Sequence, residues 1–272
     1  METNKGKIVI VDWGCLMFSA IFAHKFTPQI PVTYTVTNMI LANLLKVGVN
    51  EEDIIMIACD EGHSWRKDYD VQYKAGRKEA REKHTDINWI EMFEAMNRLI
   101  IQLDISTTWH IVKSPSLEAD DWQAVATKYY KDNEVVLITF DADMEQLLVR
   151  PNVKIFSPKS KKYKFNLNPY KTLAQKTNKE AVDGLTNPVL NEEDYDRRIL
   201  IVSLLELPEF VETPIINKFK NLEPKTGVDF DEFPFNSLRE KYLNLYKDKS
   251  KLVTIEQSMK KKRKKKTNGK SK

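Results

Sequence analysis

Cysteine and histidine are scarce in this chain: two cysteines, Cys15 and Cys59, and four histidines, His24, His63, His84 and His110, in 272 residues. Each cysteine adjoins a predicted buried strand and neither has a partner at metal-ligand spacing. The pair therefore reads as small core residues in a reducing compartment, not as a disulfide, zinc or redox site. The scattered histidines argue against histidine-based metal or acid–base chemistry. No run of about 18 apolar residues occurs, and Met1 to Lys7 lack the pattern of a secretory signal. A soluble, cytoplasmic, monomeric globular protein without a membrane partner is expected. Glycine is thin as well, with eight in all and none between Gly184 and Gly227.

Charge is plentiful but unevenly placed. The formal net charge is +4, yet the run Lys260-Lys261-Lys262-Arg263-Lys264-Lys265-Lys266 alone carries seven positive charges and leaves the remainder at −3. Such a run cannot pack, so residues 248–272 are expected to form a disordered basic tail. Two readings of it stand: a solvated end, or an arm for a polyanion such as nucleic acid.

Strand-like runs at residues 7–11, 54–59, 107–112, 135–139 and 153–156 alternate with helix-length segments near 35–46, 88–103, 118–131 and 143–148. That alternation predicts an α/β fold with a mostly parallel sheet and helices on both faces. Ile90, Phe93, Met96, Leu99, Ile100 and Leu103 recur at three-and-four spacing as a core-facing stripe. Ser157 to Lys162 reads as a turn between two short strands. Residues 167–247 read as a mostly helical extension, with Pro214 near the start of a short helix that ends around Phe219.

Carboxylates gather where strands end. Asp12 follows Ile8-Val9-Ile10-Val11, Asp60 follows the run Ile54 to Cys59, Glu118-Ala119-Asp120-Asp121 opens a helix, and Asp141 and Asp143 follow Val135 to Thr139. In a parallel sheet, ligands bind beyond the carboxyl ends of the strands, so these acids converge on one edge. Acids this dense repel one another, and an all-oxygen set favours Mg²⁺ or Mn²⁺. The plainer reading of the Glu118 cluster alone is a set of helix N-terminal acids that complement the macrodipole.

Between Asp60 and Lys83, basic and aromatic residues mix with little apolar periodicity, so this segment should project from the core. Arg66, Lys67, Tyr73, Lys74, Arg77 and Arg81 stand just after a strand-end acid, where cations neutralise phosphates and a tyrosine ring can stack on a base. Asp68, Asp70, Glu79 and Glu82 are interleaved with them, so a solvated face with internal ion pairs is the competing reading.

Taken in order, Ile8 to Asp12, Cys59-Asp60, Tyr73-Lys74-Ala75-Gly76-Arg77, Glu118-Ala119-Asp120-Asp121 and Asp141-Ala142-Asp143 resemble the 5′-nuclease superfamily. That superfamily includes flap endonucleases and the 5′-exonuclease domains of bacterial DNA polymerases. Trp65-Arg66-Lys67-Asp68, the run from Tyr73 to Glu82, and Pro151-Asn152-Val153-Lys154 with Ser157-Pro158 look like the T-even phage ribonucleases H. The likeness covers roughly residues 5–183, with a weaker echo from 195 to 221.

The resemblance implies a PIN-like nuclease core over residues 1–166 with an arch at about 61–86, a helical region at 167–247 and the basic tail. It implies an enzyme that removes RNA primers and adjoining DNA from 5′ ends and cuts 5′ flaps during phage replication, using two Mg²⁺ ions for which Mn²⁺ can substitute. DNA and RNA:DNA duplexes would be its partners, with a single-strand binding protein or sliding clamp as further candidates. By motif position, Asp12, Asp60, Asp120 and Asp141 would surround the first ion, with Glu118 and Asp121 in support, and Asp143 would belong to the second. Lys74 and Arg77 would be catalytic and, with Arg66, would contact the scissile phosphate and threaded strand.

Two departures qualify the match. The acids that should complete the second ion's site correspond to Glu180 and Asp183, so a glutamate stands where the family has an aspartate. The glycine-rich duplex clamp is shortened to Leu185 to Tyr195 or missing. These departures motivate a rival reading, a branched-DNA or flap binding protein without turnover. A phosphotransferase using Asp12 as nucleophile is disfavoured, because position 14 is glycine where a second acid would be wanted.

Overall fold

The uninterrupted apolar runs form strands buried on both sides, the pattern of a parallel sheet covered on each face. In the computed structural model, which describes residues 6–166, 168–177, 189, 191–222, 225 and 228–245, these are β1 (Ile8–Asp12), β2 (Ile54–Ala58), β3 (His110–Val112), β4 (Val135–Ile138) and β5 (Val153–Ser157). With β6 (Lys162–Tyr163) they make a six-stranded sheet in the order β3-β2-β1-β4-β5-β6. All pairings are parallel except β5 with β6, which is antiparallel across the expected turn. Central β1 pairs with β2 and with β4, Ile8 opposite both Ile54 and Val135. The chain moves outward from β1 to β2 and β3 and then returns to β1's other side with β4. The carboxyl ends of β1 and β4 thus flank the switch point where such sheets bind ligands.

Although every residue of β1 is buried, its side chains still alternate. Val9 and Val11 join one core with Ile55, Ile57, Val136 and Ile138, while Ile8 and Ile10 join the other with Met56, Val135 and Leu137. The first core is covered by α1 (Trp13–His24), α2 (Val32–Val47) and α5 (Trp89–Ser106). Helix α2 stops at Gly48, whose left-handed φ of 66° lets its N–H return to Leu44 and Leu45 carbonyls. Short helices α3 (Arg66–Tyr69) and α4 (Arg77–Glu82) lie between β2 and α5. The second core is covered by α6 (Ala119–Tyr129) and a 3-10 turn at Asp143–Val149.

Beyond β6 come α7 (Pro169–Thr177), α8 (Glu192–Val202), α9 (Glu209–Lys220) and α10 (Asn236–Leu243). They are shared between the faces. Val211, Ile215 and Phe219 of α9 enter the α6 core, whereas Leu238 and Tyr242 of α10 enter the α2–α5 core. The Tyr242 hydroxyl accepts the Thr108 N–H at 3.0 Å, and its ring meets Trp109 edge-on.

Several expectations change. Helix α1 was not anticipated: its sequence is apolar almost all round, so no stripe announces it. Strand β3 is shorter than 107–112 because Thr107 closes α5, its hydroxyl donating to the Leu103 carbonyl at 2.6 Å. Pro214 sits inside α9, not near the start of a short helix. Ile90 is 74% exposed and leaves the predicted stripe. The segment after Asp60 does not project throughout: the Trp89 indole donates to the Arg81 carbonyl at 2.9 Å, and Lys25 pairs with Asp86 at 2.6 Å, bracing it against α1. Residues 178–188 and 246–272 lie outside the described residues, and with them Glu180, Asp183, Leu185 to Pro188 of the shortened clamp and the basic run.

Candidate metal and nucleic-acid site

Asp12 ends β1 and caps α1 in one residue: its Oδ1 accepts the Cys15 N–H at 3.0 Å. Its other oxygen accepts the Thr139 hydroxyl at 2.9 Å and the Cys15 thiol at 3.0 Å. Burial holds the Asp12 carboxyl above the ordinary range; those donors offset part of the rise and Asp60 adds repulsion. Thr139 also accepts the Asp141 N–H at 3.1 Å, and Asp141 accepts the Asp143 N–H at 2.9 Å, which fixes the turn after β4. Across the crevice, exposed Asp60 accepts the Ala119 N–H at 2.7 Å and so ties β2's end to the start of α6.

Asp120, on the first turn of α6, is the electrostatic meeting point. Burial pushes its pKa well up, and Asp141, Asp12 and Glu118 repel its charge while Lys74 favours it. Acids from three elements therefore feel one another at Asp120, and Asp60 acts on Asp12 from the end of a fourth. Among the described residues, no three acid, histidine or cysteine side chains stand arranged to hold an ion. The chemistry of the donors nevertheless fits one, since uncompensated carboxylates that raise each other's pKa are relieved by a hard cation.

Glu118 and Asp121 behave differently. Asp121 is fully buried, and its oxygens accept from Arg66 Nη2 at 2.8 Å, the Trp65 indole at 3.1 Å and the Glu118 N–H at 2.9 Å. Glu118 accepts from Arg66 Nη1 at 2.7 Å, the Tyr73 hydroxyl at 3.0 Å and Lys74 Nζ at 2.6 Å. Burial alone would raise the Glu118 pKa; Lys74 and Arg66 bring it below the ordinary value.

Two expected contacts are thereby corrected. Arg66 is 1% exposed and Tyr73 4% exposed. Arg66 faces the two acids, and Tyr73 packs on Ile201 and Val202, so neither is open to a nucleic acid strand. Lys67, Lys74, Arg77 and Arg81 remain at the mouth, lining a cleft of about 190 Å³ with Asp60 and Glu118 on its wall. Lys74 adopts a left-handed backbone, φ 55°, and its ammonium lies 4.8 Å from the Tyr73 ring centre. Cys15, Thr139 and Trp65 were not expected at the site. The only sequence trace of the first is its position three residues after Asp12, where a capping acid finds an N–H.

The model of a family described as 5′-3′ exonuclease, N-terminal resolvase-like domain, matches residues 7–180. A ribonuclease H of Enterobacteria phage T4 is 28% identical over 171 residues, which are 60% of this chain and 55% of that protein. The chain thus spans about half the length of that curated relative. Among solved structures, a T5 5′-exonuclease with bound zinc superposes with TM-score 0.54 at 17% identity, covering 89% of this chain and all of that one. A bacteriophage T5 flap endonuclease in a pseudo-enzyme-product complex with DNA and metal ions gives TM-score 0.57, also at 17% identity and 89% of this chain. At such identities these two share the fold.

Proposed function

The chain belongs to the 5′-3′ exonuclease family with an N-terminal, resolvase-like domain, and on that premise we propose that it is a Mg²⁺-dependent phosphodiesterase acting from 5′ ends in phage DNA replication. Its substrates in this reading are RNA-primed and flapped duplexes, and its core is PIN-like. The observation that carries the proposal is the gathering of Asp12, Asp60, Asp120 and Asp141 at the carboxyl edge of the sheet, with Asp60 on the wall of a cleft that Lys67, Lys74, Arg77 and Arg81 also line. Negative charge at that edge takes cations, and positive charge in the cleft takes phosphates.

Asp12, Asp60, Asp120 and Asp141 would hold the first ion, and Asp143, with Glu180 and Asp183, the second. When bound, divalent ions of this kind activate a water and stabilise the leaving oxygen of a phosphodiester. The protein's own share is orientation. Thr139 and Cys15 fix the Asp12 carboxylate, the Ala119 N–H fixes Asp60, and Lys74 and Arg77 steady the scissile phosphate at the mouth. Lys67 and Arg81 extend that path along the strand. Arg66 and Tyr73 are left out of it by their burial, and Glu118 and Asp121 by their partners.

Digestion of 5′-labelled nicked, RNA-primed and flapped duplexes tests the reading. Short 5′ products are expected with Mg²⁺ and none with EDTA. Substrate binding without release of product across a Mg²⁺ titration would instead identify a branched-DNA binding protein that lacks turnover.

A further inference from the structure

A surface arginine that reaches for phosphate keeps its guanidinium in water; Arg66 does not. All three of its side-chain nitrogens are committed indoors: Nη1 to Glu118, Nη2 to Asp121, and Nε to the Ile201 carbonyl at 2.9 Å on α8. Burying such an ion is costly and is offset only by several well-placed partners. Here burial opposes the charge, and Asp121, Tyr73 and Glu118 overcome it, raising the pKa of Arg66. Glu118 in turn carries Lys74 on its other oxygen, Oε1, and Lys74 is the main cation acting on Asp120. A continuous path thus leads from the backbone of α8 through Arg66 and Glu118 to the ammonium at the cleft.

We propose that Arg66 is a positioning residue of the nuclease, one that withdraws Glu118 and Asp121 from the cation-binding charge and, through Glu118, sets where Lys74 stands in the cleft. The inference rests on the metal-dependent reading given above. With Arg66 present, the uncompensated acids are those around Asp120. A neutral residue at position 66 would release negative charge one helical turn away or less, so a divalent cation would bind more tightly. The same change would free Glu118 to move and carry Lys74 with it, so turnover would fall. A purely structural arginine predicts something else: both quantities fall together, in step with the folded fraction.

The experiment measures Mn²⁺ binding to the full chain by electron paramagnetic resonance, without substrate, beside single-turnover cleavage of a flapped duplex. For Arg66→Gln, Mn²⁺ should bind roughly tenfold more tightly, the effect of nearby unpaired charge. Cleavage should slow by about a hundredfold, as for a small misplacement at a reacting centre. Adding Glu118→Gln to that variant should return Mn²⁺ affinity toward the wild-type value. If circular dichroism shows Arg66→Gln unfolded, Arg66→Lys carries the test, because an ammonium cannot span both acids; it should show the same opposite shifts at smaller size. Unchanged or weaker Mn²⁺ binding by a folded variant, or cleavage lost only in proportion to folding, overturns the role of Arg66 alone. A wild-type protein that binds no Mn²⁺ overturns the metal-dependent reading with it.

Discussion

Asp120 and Asp121 are neighbours in sequence and opposites in surroundings. Asp121 looks inward and is met by a guanidinium, an indole N–H and a backbone N–H. Asp120, turned about 100° around the helix from it, is opposed by the charges of Asp141 and Asp12. One half of the acid cluster is therefore finished within the protein, while the other keeps its repulsion. The contrast teaches that a count of acids does not measure a metal site. What matters is which acids the fold has already neutralised.

The sharpest way to break this contrast is to remove acids from each half. Asp141→Asn, on the repelling side, should cut the cleavage rate by about a thousandfold or more, some 4 kcal/mol of barrier, while thermal melting still shows a cooperative fold. Retention of wild-type turnover would place the chemistry elsewhere. Asp121→Ala, on the neutralised side, should cost about 3–5 kcal/mol of stability, because it leaves a buried guanidinium short of a partner. Chemical denaturation that shows no loss would mean that the Arg66 nest is not stabilising.

Proton linkage distinguishes the halves further. The Asp120 pKa is raised on folding, so its contribution to stability is full below the ordinary value of 3.8 and is lost as pH rises through the higher folded value. Asp120→Asn should therefore gain stability over wild type across that rise, its melting temperature climbing by roughly 2–4 °C for each kcal/mol relieved. Glu118 has the reverse sign: its pKa falls from 4.5, so its contribution is present above that value and is lost as pH drops through the lower folded one. Melting curves for Asp120→Asn and Glu118→Gln between pH 3 and pH 8, about the usual carboxylate range, should diverge in these opposite senses. Parallel shifts would contradict the division. The smallest effect belongs to the cleft mouth, where Arg77→Ala should weaken DNA binding uniformly across sequences and flatten the salt dependence by about one counterion. An unchanged salt slope would remove Arg77 from the strand path.

Much of this was legible in the sequence because the strand-end acids are announced by buried runs such as Val135 to Ile138. Parallel order followed from the alternation of runs and helices, and the acids' common edge followed from parallel order. The fate of Arg66 was not legible. A basic residue inside Trp65-Arg66-Lys67-Asp68 has the look of a surface charge, and only the approach of α6 and α8 from far along the chain makes it interior. Tyr73 was misleading for the same reason, since Ile201 and Val202, which bury it, lie far downstream. Helix α1 escaped for a different one, an apolar surface too continuous to show a period.

The placement of α10 also bears on how the chain comes off the ribosome. Thr108 meets Tyr242 across 134 positions, and residues of α2 lie buried against a helix made about two hundred positions after them. At 5–20 residues per second, that interval is roughly 10–40 s. For most of it each face of the nascent sheet lacks a late helix, α9 on the α6 side and α10 on the other, and the α10 side is the last to be covered. A chaperone that recognises exposed apolar surface would have that face, and that window, in which to act.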